Sequence, residues 1–341
     1  MSRAWLCFLA AACASVLGSG GAACTSTSSS GAAGGGDASE EPEASGDAPL
    51  MLVQNPWDAS RADVAIALNL LTTQMGMTVT FTEDDEYSQW PKIASGQYSA
   101  CMEVWPSGHQ ADITEYIDTN KVENGGLLGP VGKISWYVPT YLLTAHPELA
   151  SWQAYSNPAT AQLFATAQTS PLGQFTNGDP TWTSYDSDII TNLMLDLKEV
   201  YLGSEAAELA FLDPIYNSRG YILMYLWTPD AALARYDLTA VQLPPYSAAC
   251  YASVPDGGAG VDCDYPADHL FKIFYPGLAA ANPRAYQFLE SFSYTTTDQI
   301  NILAQVDSQM NAGLTDQAAV TAAAQWWIDN NTATWKTWIP Q

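Results

Sequence analysis

The apolar and polar positions in the first folded part of the chain follow strand and helix periods in turn. Residues 50–54 form a short apolar run typical of a buried strand. Apolar side chains then recur at helical spacing at Val64, Leu68 and Leu71, after Ser60 as a candidate N-cap. Strands that alternate with helices predict a parallel α/β sheet. The further elements predicted here are the end of that helix at Gly76, a strand with alternating Met77, Val79 and Phe81, a helix over 87–95 stopped by Gly96, and a strand over 98–104.

Tryptophans follow the strands of this predicted sheet. Trp57 comes directly after the first strand, and Trp105-Pro106 ends the third. Proline cannot continue a sheet ladder, and ligands bind open α/β sheets at the carboxyl ends of the strands. Two indoles at one edge therefore indicate a ligand site. His109 follows Trp105 closely enough to offer an imidazole N–H to the same ligand.

The succession of strand, tryptophan and proline recurs later in the chain. An apolar strand predicted over 221–226 runs into Trp227-Thr228-Pro229, and a loop over 172–183 exposes Trp182 before a helix predicted over 185–201. The apolar run 134–143 is expected to begin the crossing into a second lobe, with a return near 241–245. The expected organisation is a signal peptide (1–24), a tether (25–49), a discontinuous first lobe (50–140 with 241–341) and a second lobe (141–240).

The N-terminus has the features of an export signal. Arg3 precedes an apolar run over 4–17 and small residues up to Cys24, a segment too short for a comfortable membrane span. Gly21-Ala22-Ala23-Cys24 resembles a bacterial lipobox, in which the cysteine is acylated, although Gly21 stands where leucine is usual. Simple secretion is the alternative. Residues 25–49 are small, acidic or polar with no aromatic side chain, so a disordered tether is expected there.

Composition narrows the range of partners. The 341 residues have room for two domains, and a hydrophobic content of 48% is ample for folded cores. The net charge of −25 argues against nucleic acid and anionic lipid headgroups as partners, because such a surface repels phosphates. Cys250 and Cys263 bracket a loop and are expected to form a disulfide in an exported chain, whereas Cys101 is expected to be a buried thiol.

The sequence offers little to support catalysis. The three histidines show no metal-ligand spacing, and nucleophile-elbow, Walker and dinucleotide-binding motifs are absent from the sequence. The acidic run Glu83-Asp84-Asp85-Glu86 is typical of a solvated face. We therefore expect neither an enzyme nor a metal or cofactor site. The C-terminal tryptophans Trp326, Trp327, Trp335 and Trp338 lie at near-helical spacing and are expected to pack a helix against the first lobe.

From about residue 50 to the end, the chain resembles the substrate-binding proteins of ABC importers for glycine betaine and related quaternary ammonium solutes. The resemblance rests on these motifs: Trp57, Trp105-Pro106 with His109, Trp136-Tyr137-Val138-Pro139-Thr140-Tyr141, Asp179-Pro180-Thr181-Trp182, Trp227-Thr228-Pro229 and Ala323-Ala324-Gln325-Trp326. It implies a two-lobed periplasmic-binding-protein (venus-flytrap, type II) fold with the ligand in the cleft. It also implies ABC permease and ATPase partners and a monomer outside the cytoplasmic membrane, held there by lipid if Cys24 is acylated.

The resemblance also implies a set of ligand-binding residues. Trp105, Trp182 and Trp227 fall where betaine binders place three indoles around a trimethylammonium group, and His109 falls where one subgroup places a carboxylate donor. A quaternary ammonium has no N–H to donate, so electron-rich indole faces suit its diffuse charge and methyl surface better than a carboxylate alone.

Two alternatives remain open. One is a choline- or carnitine-type binder, in which Trp57, Asp58 and Tyr137 join Trp105 and Trp227 and Asp58 takes a hydroxyl group. The other is a secreted carbohydrate-binding or carbohydrate-active protein, because exposed tryptophans and acidic residues also suit sugars.

Overall fold

The computed structural model describes residues 48–256 and 259–341. The predicted signal peptide, the candidate lipidation site Cys24 and the tether up to residue 47 lie outside the described residues. Within the described ranges, no helix combines the length and the apolar content that a membrane span needs.

The chain alternates strands and helices as its pattern predicts. The strands are β1 (Leu50–Gln54), β2 (Val79–Glu83), β3 (Ala100–Val104), β4 (Glu123–Pro139), β5 (Gly173–Asn177), β6 (Leu197–Tyr201), β7 (Met224–Thr228), β8 (Leu238–Ala240) and β9 (Asp268–Phe274). The α-helices are α1 (Asp58–Thr73), α2 (Gln89–Ala94), α3 (Gln110–Asp112), α4 (Pro158–Ala161), α5 (Asp186–Asn192), α6 (Glu205–Asn217), α7 (Ala232–Arg235), α8 (Leu278–Ala281), α9 (Pro283–Ser291), α10 (Thr296–Asn311), α11 (Asp316–Asn330) and α12 (Thr332–Trp335).

The strands form one mixed sheet with two halves that share β4. In the first half, β2, β1 and β3 are parallel neighbours, and β9 pairs antiparallel with both β3 and β4. In the second half, β5 is parallel to β6 and β7, while β7 and β8 pair antiparallel with β4. Because β9 and the helices after it return to the first half, that half is built from two separate stretches of chain.

The long strand β4 is what joins the halves. Residues 123–132 of β4 pair with β9, whereas residues 133–139 pair with β7 and β8. The apolar run predicted as the crossing is therefore the second part of a 17-residue strand followed by a short 3₁₀ turn at Thr140–Thr144. The lobe boundaries 140 and 241 stay a prediction.

Several predicted elements form with shifted ends, and three predictions are wrong. α1 begins at Asp58, with Trp57 in the N-cap position, so Ser60 is not the cap. The Ser60 hydroxyl instead accepts the Asn55 N–H at 2.9 Å, which fastens the β1–α1 turn. The strand predicted over 221–226 lies at β7, so Trp227 is inside the strand and not beyond it.

The helix predicted over 185–201 is wrong in its second half. α5 ends at Asn192, and Met194 takes a left-handed conformation with φ of 54°. The following residues form β6, which pairs in register with β5 from Leu197 opposite Gly173 to Tyr201 opposite Asn177. Hydrogen bonding to β5 thus overrides the helical spacing of the apolar residues, which a local pattern does not reveal.

The C-terminal tryptophans pack in the core as expected. Trp327, Trp335 and Trp338 are buried, and the rings of Trp327 and Trp338 stack with centroids 5.5 Å apart. α11 packs against α1 of the first half. Trp326 is partly exposed.

A buried lysine caps the C-terminal end of helix α9. Lys272, on β9, is fully buried, and its Nζ donates to the carbonyl oxygens of Leu289 (2.8 Å), Glu290 (2.8 Å) and Phe292 (2.6 Å). Burial lowers the pKa of Lys272 to about 8, against the raising effect of the Glu290 and Asp63 charges. Lys272 thereby caps the C-terminal end of the helix, where the last carbonyl groups have no N–H partner within the helix.

We expect Lys272→Met to lower the free energy of unfolding by about 2–4 kcal/mol, because it removes the donor to three carbonyl groups at once. Urea unfolding followed by circular dichroism measures this change, and Lys336→Met, at an exposed position, is the matched control. Equal stability of the two variants would show that the Lys272 bonds contribute nothing.

Candidate functional site

A small cavity lies where the two halves of the sheet meet. The first half contributes residues that follow β1, β2 and β3, and the second half contributes residues from the β5–α5 loop and from β7. One residue comes from the shared strand β4. Four of the lining residues are tryptophans. The lining consists of Trp57, Glu86, Trp105, Ile134, Trp182, Thr183, Tyr225 and Trp227.

The aromatic rings meet at steep angles. The Trp182 ring lies edge to face against Trp57 (centroids 6.2 Å apart, 89° between planes) and against Trp227 (5.3 Å, 90°). Tyr225 contacts both Trp182 (6.4 Å) and Trp227 (5.9 Å). Because Trp57 belongs to the first half and Trp182 to the second, these contacts span the junction. Rings set at right angles form the walls of a box whose faces suit a compact, cationic group.

The rings of the first half are held from behind by one carboxylate. Oε1 of Glu103 accepts the indole N–H of Trp57 at 2.7 Å and that of Trp105 at 2.8 Å. Glu103 is the last residue but one of β3 and Trp105 follows two residues later, so both side chains lie on the same side of the extended chain.

Two glycines leave room for the rings. A Cβ on Gly132 would lie 2.3 Å from the Trp105 ring, and a Cβ on Gly178 would lie 2.3 Å from the Trp182 ring and 2.8 Å from Oε2 of Glu208. Any side chain at either position would therefore displace an indole of the cavity wall.

The polar wall of the cavity is the side chain of Glu86. Its Oε1 accepts the backbone N–H of Thr183 and the Thr183 hydroxyl (2.9 Å), and its Oε2 pairs with Nε2 of His109 at 3.2 Å. Nδ1 of His109 contacts Oδ2 of Asp112 at 2.8 Å. Burial lowers the pKa of His109, but the hydrogen bonds with Asp112 and Glu86 outweigh it and raise the pKa to about 9. His109 is therefore an imidazolium held between two acids at neutral pH.

Four of the candidate residues meet at this cavity and two do not. Trp57, Trp105, Trp182 and Trp227 all line it. His109 is fully buried behind Glu86, with both ring nitrogens already paired. Tyr137 packs in a separate cluster with Leu212, Ile222, Met224, Leu226, Ala232 and Tyr236.

The cysteines lie away from the cavity lining. The sulfur atoms of Cys250 and Cys263 are bonded, and Cys101 is a buried free thiol within β3. Burial raises the pKa of the Cys101 thiol far above its usual range, so it is not a nucleophile at neutral pH.

Sequence reasoning missed four lining residues: Glu86, Ile134, Thr183 and Tyr225. Glu86 belongs to the acidic run that was expected to be solvated, yet it is only 5% exposed. The signals available were its place just after β2 and the place of Thr183 next to Trp182. Neither signal tells which of four consecutive acids turns inward.

The two halves also contact each other where the start of α1 meets a carboxyl group of α6. The backbone N–H of Asp58, at the start of α1, donates to Oε2 of Glu205, at the start of α6, at 2.9 Å. Glu205 and Asp230 are buried. Arg61 pairs with Asp58 at 3.5 Å and also with Glu83 and Asp316.

This contact raises the proton affinity of its acids. Burial, and then the charge of Asp316, raises the pKa of Asp58 to about 6 against the effect of Arg61. Burial also raises the pKa of Asp230 to about 7, with a further contribution from Asp58. Burial and the charges of Asp58 and Asp230 raise the pKa of Glu205 as well.

A family model described as the substrate-binding domain of an ABC-type glycine betaine transport system (OpuAC) matches residues 48–330. The chain belongs to this family. The family supplies the substrate-binding parts of ABC importers, which act outside the cytoplasm with permease components and are not enzymes.

Similar proteins agree with this membership. The curated trimethylamine N-oxide-binding protein of Pelagibacter ubique (strain HTCC1062) is 25% identical over 303 residues, which is 86% of this chain and 91% of the relative. Lactococcal OpuAC in its closed, glycine betaine-bound conformation has a TM-score of 0.64 at 21% identity, covering 86% of this chain and 99% of the other. ProX of Borrelia burgdorferi has a TM-score of 0.67 at 17% identity, covering 86% and 97%. The likeness confirms the two-lobed, type II periplasmic-binding-protein fold.

In a two-lobed binding protein, the carboxyl contact between the halves makes ligand affinity depend on pH. With the lobes together, two of these acids have pKa values of about 6 and 7, whereas in solvent carboxyl groups titrate near about 4. If separating the lobes exposes these acids to solvent, the closed form holds more protons than the separated lobes below about pH 7, and closure takes up protons. We expect affinity to rise as the pH falls from 8 to about 5.5, by up to about tenfold per pH unit for each proton taken up.

Calorimetric titrations at several pH values measure this dependence. Glu205→Gln keeps an oxygen to accept the Asp58 N–H but carries no charge, so it should bind more tightly at pH 8 and show a flatter profile. An affinity that rises with pH, or a profile that Glu205→Gln leaves unchanged, would contradict the expectation.

Proposed function

We propose that this protein is the solute-binding component of an ABC importer and that its two lobes close around the trimethylammonium group of a small solute. The single observation that supports this most strongly is the box of four indoles, with Trp57 and Trp105 on one lobe and Trp182 and Trp227 on the other. Each desolvated indole face contributes on the order of 1–2 kcal/mol to binding a cation. Several faces together are enough for micromolar affinity, near about −8 kcal/mol.

The polar end of the ligand meets Glu86 in this proposal. A carboxylate in the wall repels a ligand carboxylate and attracts a cation or a hydrogen-bond donor. This favours a choline-like solute, or an amine oxide that carries a proton, over glycine betaine at the same cavity. The name of the Pelagibacter relative, a trimethylamine N-oxide-binding protein, is in line with a ligand that lacks a carboxylate.

His109 has a supporting role in this proposal and does not touch the ligand directly. Its imidazolium neutralises part of the charge of Glu86 and fixes the carboxylate against Thr183. Tyr137 and Asp58 lie outside the lining of the cavity, so the hydroxyl-binding role considered for Asp58 falls to Glu86 instead.

The ligand is identified by calorimetry with a panel of glycine betaine, choline, carnitine and trimethylamine N-oxide, with proline and a disaccharide as negative controls. Binding of at least one trimethylammonium solute, together with quenched or shifted indole fluorescence, is the expected result. Binding of the sugar alone would favour a carbohydrate-binding protein instead.

We further propose that the lobes comprise residues 50–140 with 241–341 and residues 141–240, and that the protein works as a monomer beside its permease and ATPase. Lipid on Cys24 would hold it to the outer side of the cytoplasmic membrane. Two lobes that enclose their ligand need no second copy to complete the site.

The lipid anchor has its own test. Globomycin is expected to block processing of the full-length chain, and Cys24→Ser is expected to leave the membrane fraction. Unchanged fractionation in both experiments would indicate simple secretion.

A further inference from the structure

A buried carboxylate lies directly behind the indole box. Glu103 is fully buried, and Trp57 and Trp105 both donate their indole N–H groups to the same oxygen, Oε1. The other oxygen, Oε2, accepts Nε2 of Gln299 at 3.1 Å. No indole wall of the second lobe has a comparable anchor among the described residues: the Trp182 indole N–H is buried without a partner.

Glu103 lies beside a second buried acid, Asp63. Burial raises the pKa of Glu103, whereas its hydrogen bonds with Trp105, Trp57 and Gln299 lower it. Burial and the charge of Glu103 raise the pKa of Asp63 well above its usual range, although Lys272 opposes this, and Tyr294 donates to Asp63. Both oxygens of Glu103 accept N–H groups, whereas Oδ2 of Asp63 has no hydrogen-bond partner among the described residues, so the geometry favours Glu103 as the charged member of the pair.

We propose that Glu103 is a positioning and specificity-determining residue, whose negative charge acts through Trp57 and Trp105 to select a cation over a neutral molecule of the same shape. The inference rests on the proposed function of the cavity. An N–H···O⁻ hydrogen bond moves electron density into the indole, which strengthens the attraction of its face for a cation. The charge is also shielded from water, so it acts on the cavity with little screening.

A purely structural role would look different. A neutral amide oxygen can accept the same two N–H bonds and keep both rings in place. If Glu103 only positions the rings, then Glu103→Gln changes the binding of charged and neutral ligands alike. If its charge matters, Glu103→Gln weakens the binding of cations and leaves the binding of neutral molecules almost unchanged.

Pairs of ligands in which carbon replaces the quaternary nitrogen separate these cases. Choline, a cation, is compared with 3,3-dimethyl-1-butanol, and trimethylamine N-oxide, a zwitterion with a positively charged nitrogen, is compared with tert-butanol. We expect Glu103→Gln to lose at least about tenfold in affinity for choline, the effect of one charge acting across several ångströms at an effective dielectric constant of about 20, and to lose less for the zwitterion. Affinity for the neutral member should change by less than about threefold, since the apolar surface buried is the same.

Asp63→Asn is the matched control. It alters the neighbouring buried acid and leaves the charge on Glu103, so the preference for the cation should persist. The inference is overturned if Glu103→Gln loses affinity equally for both members of a pair, or for neither. In both cases, binding of a trimethylammonium ligand by the parent protein would still support the proposed function. A parent protein that binds none of the four compounds would overturn the proposed function, and the inference with it.

A measurement on the parent protein tests the same point if Glu103→Gln does not fold. In ¹H–¹⁵N spectra, the indole N–H signals of Trp57 and Trp105, assigned with Trp→Phe variants, are expected downfield of the other tryptophan signals because both bind one carboxylate oxygen. Signals at ordinary positions for both would overturn the inference.

Discussion

Replacing Trp182 by alanine is expected to weaken the binding of a trimethylammonium ligand by about 30-fold or more, which is about 2 kcal/mol. The ring is only 8% exposed and meets both Trp57 and Trp227 edge to face, so its loss removes one face of the box and the support of two others. Trp105→Ala and Trp227→Ala should each cost at least about 1–2 kcal/mol, because each loses a single desolvated face.

Calorimetry with intrinsic fluorescence measures these losses. The corresponding phenylalanine variants should lose less, since a ring face survives. Trp326→Ala, at a partly exposed position on α11, should bind like the parent. If the three cavity variants are folded and bind every trimethylammonium solute as the parent does, the four indoles are not the binding site.

Glu86→Gln is expected to reverse the preference between ligands with and without a carboxylate. With the charge of Glu86 removed, choline should bind more weakly and glycine betaine more tightly, so that the ratio of their dissociation constants changes by about tenfold or more. His109 does not touch the ligand, but it keeps its partner Asp112 in this variant and lies directly behind position 86, so its charge favours a ligand carboxylate once the charge of Glu86 is removed.

The matched control for this variant is Glu83→Gln, at an exposed position of the same acidic run. It should leave the ratio of dissociation constants unchanged. If Glu86→Gln keeps the ligand preference of the parent protein, Glu86 does not determine which ligand binds.

The indole box was within reach of the sequence because backbone geometry determines where its members lie. Trp57 and Trp105 directly follow parallel neighbouring strands, whose carboxyl ends share one edge of the sheet. Trp182 lies in the loop that follows β5, which is paired with β7, the strand that carries Trp227. The pattern of strands and prolines placed Trp57 and Trp105 at one edge of the sheet, whereas Trp182 and Trp227 were assigned to the same cavity by the resemblance to betaine-binding proteins.

The polar part of the site was not predictable in the same way. Glu86 turns inward because Thr183 and His109, from two other segments, offer it three donors. Such a choice depends on contacts between residues about 100 positions apart, which no local pattern contains. The same holds for β6, where pairing with β5 overrides the helical pattern, and for Glu103, whose two indole partners become apparent only when β1 and β3 lie side by side.

Calorimetric titration of the folded parent protein with choline, trimethylamine N-oxide and glycine betaine tests the central claim most directly. We expect at least one of these to bind with a dissociation constant in the micromolar range, with the affinity lost in Trp182→Ala and kept in Trp326→Ala. Absence of heat and of any fluorescence change with all three, in protein that is folded by circular dichroism, would contradict a quaternary ammonium-binding function for this cavity.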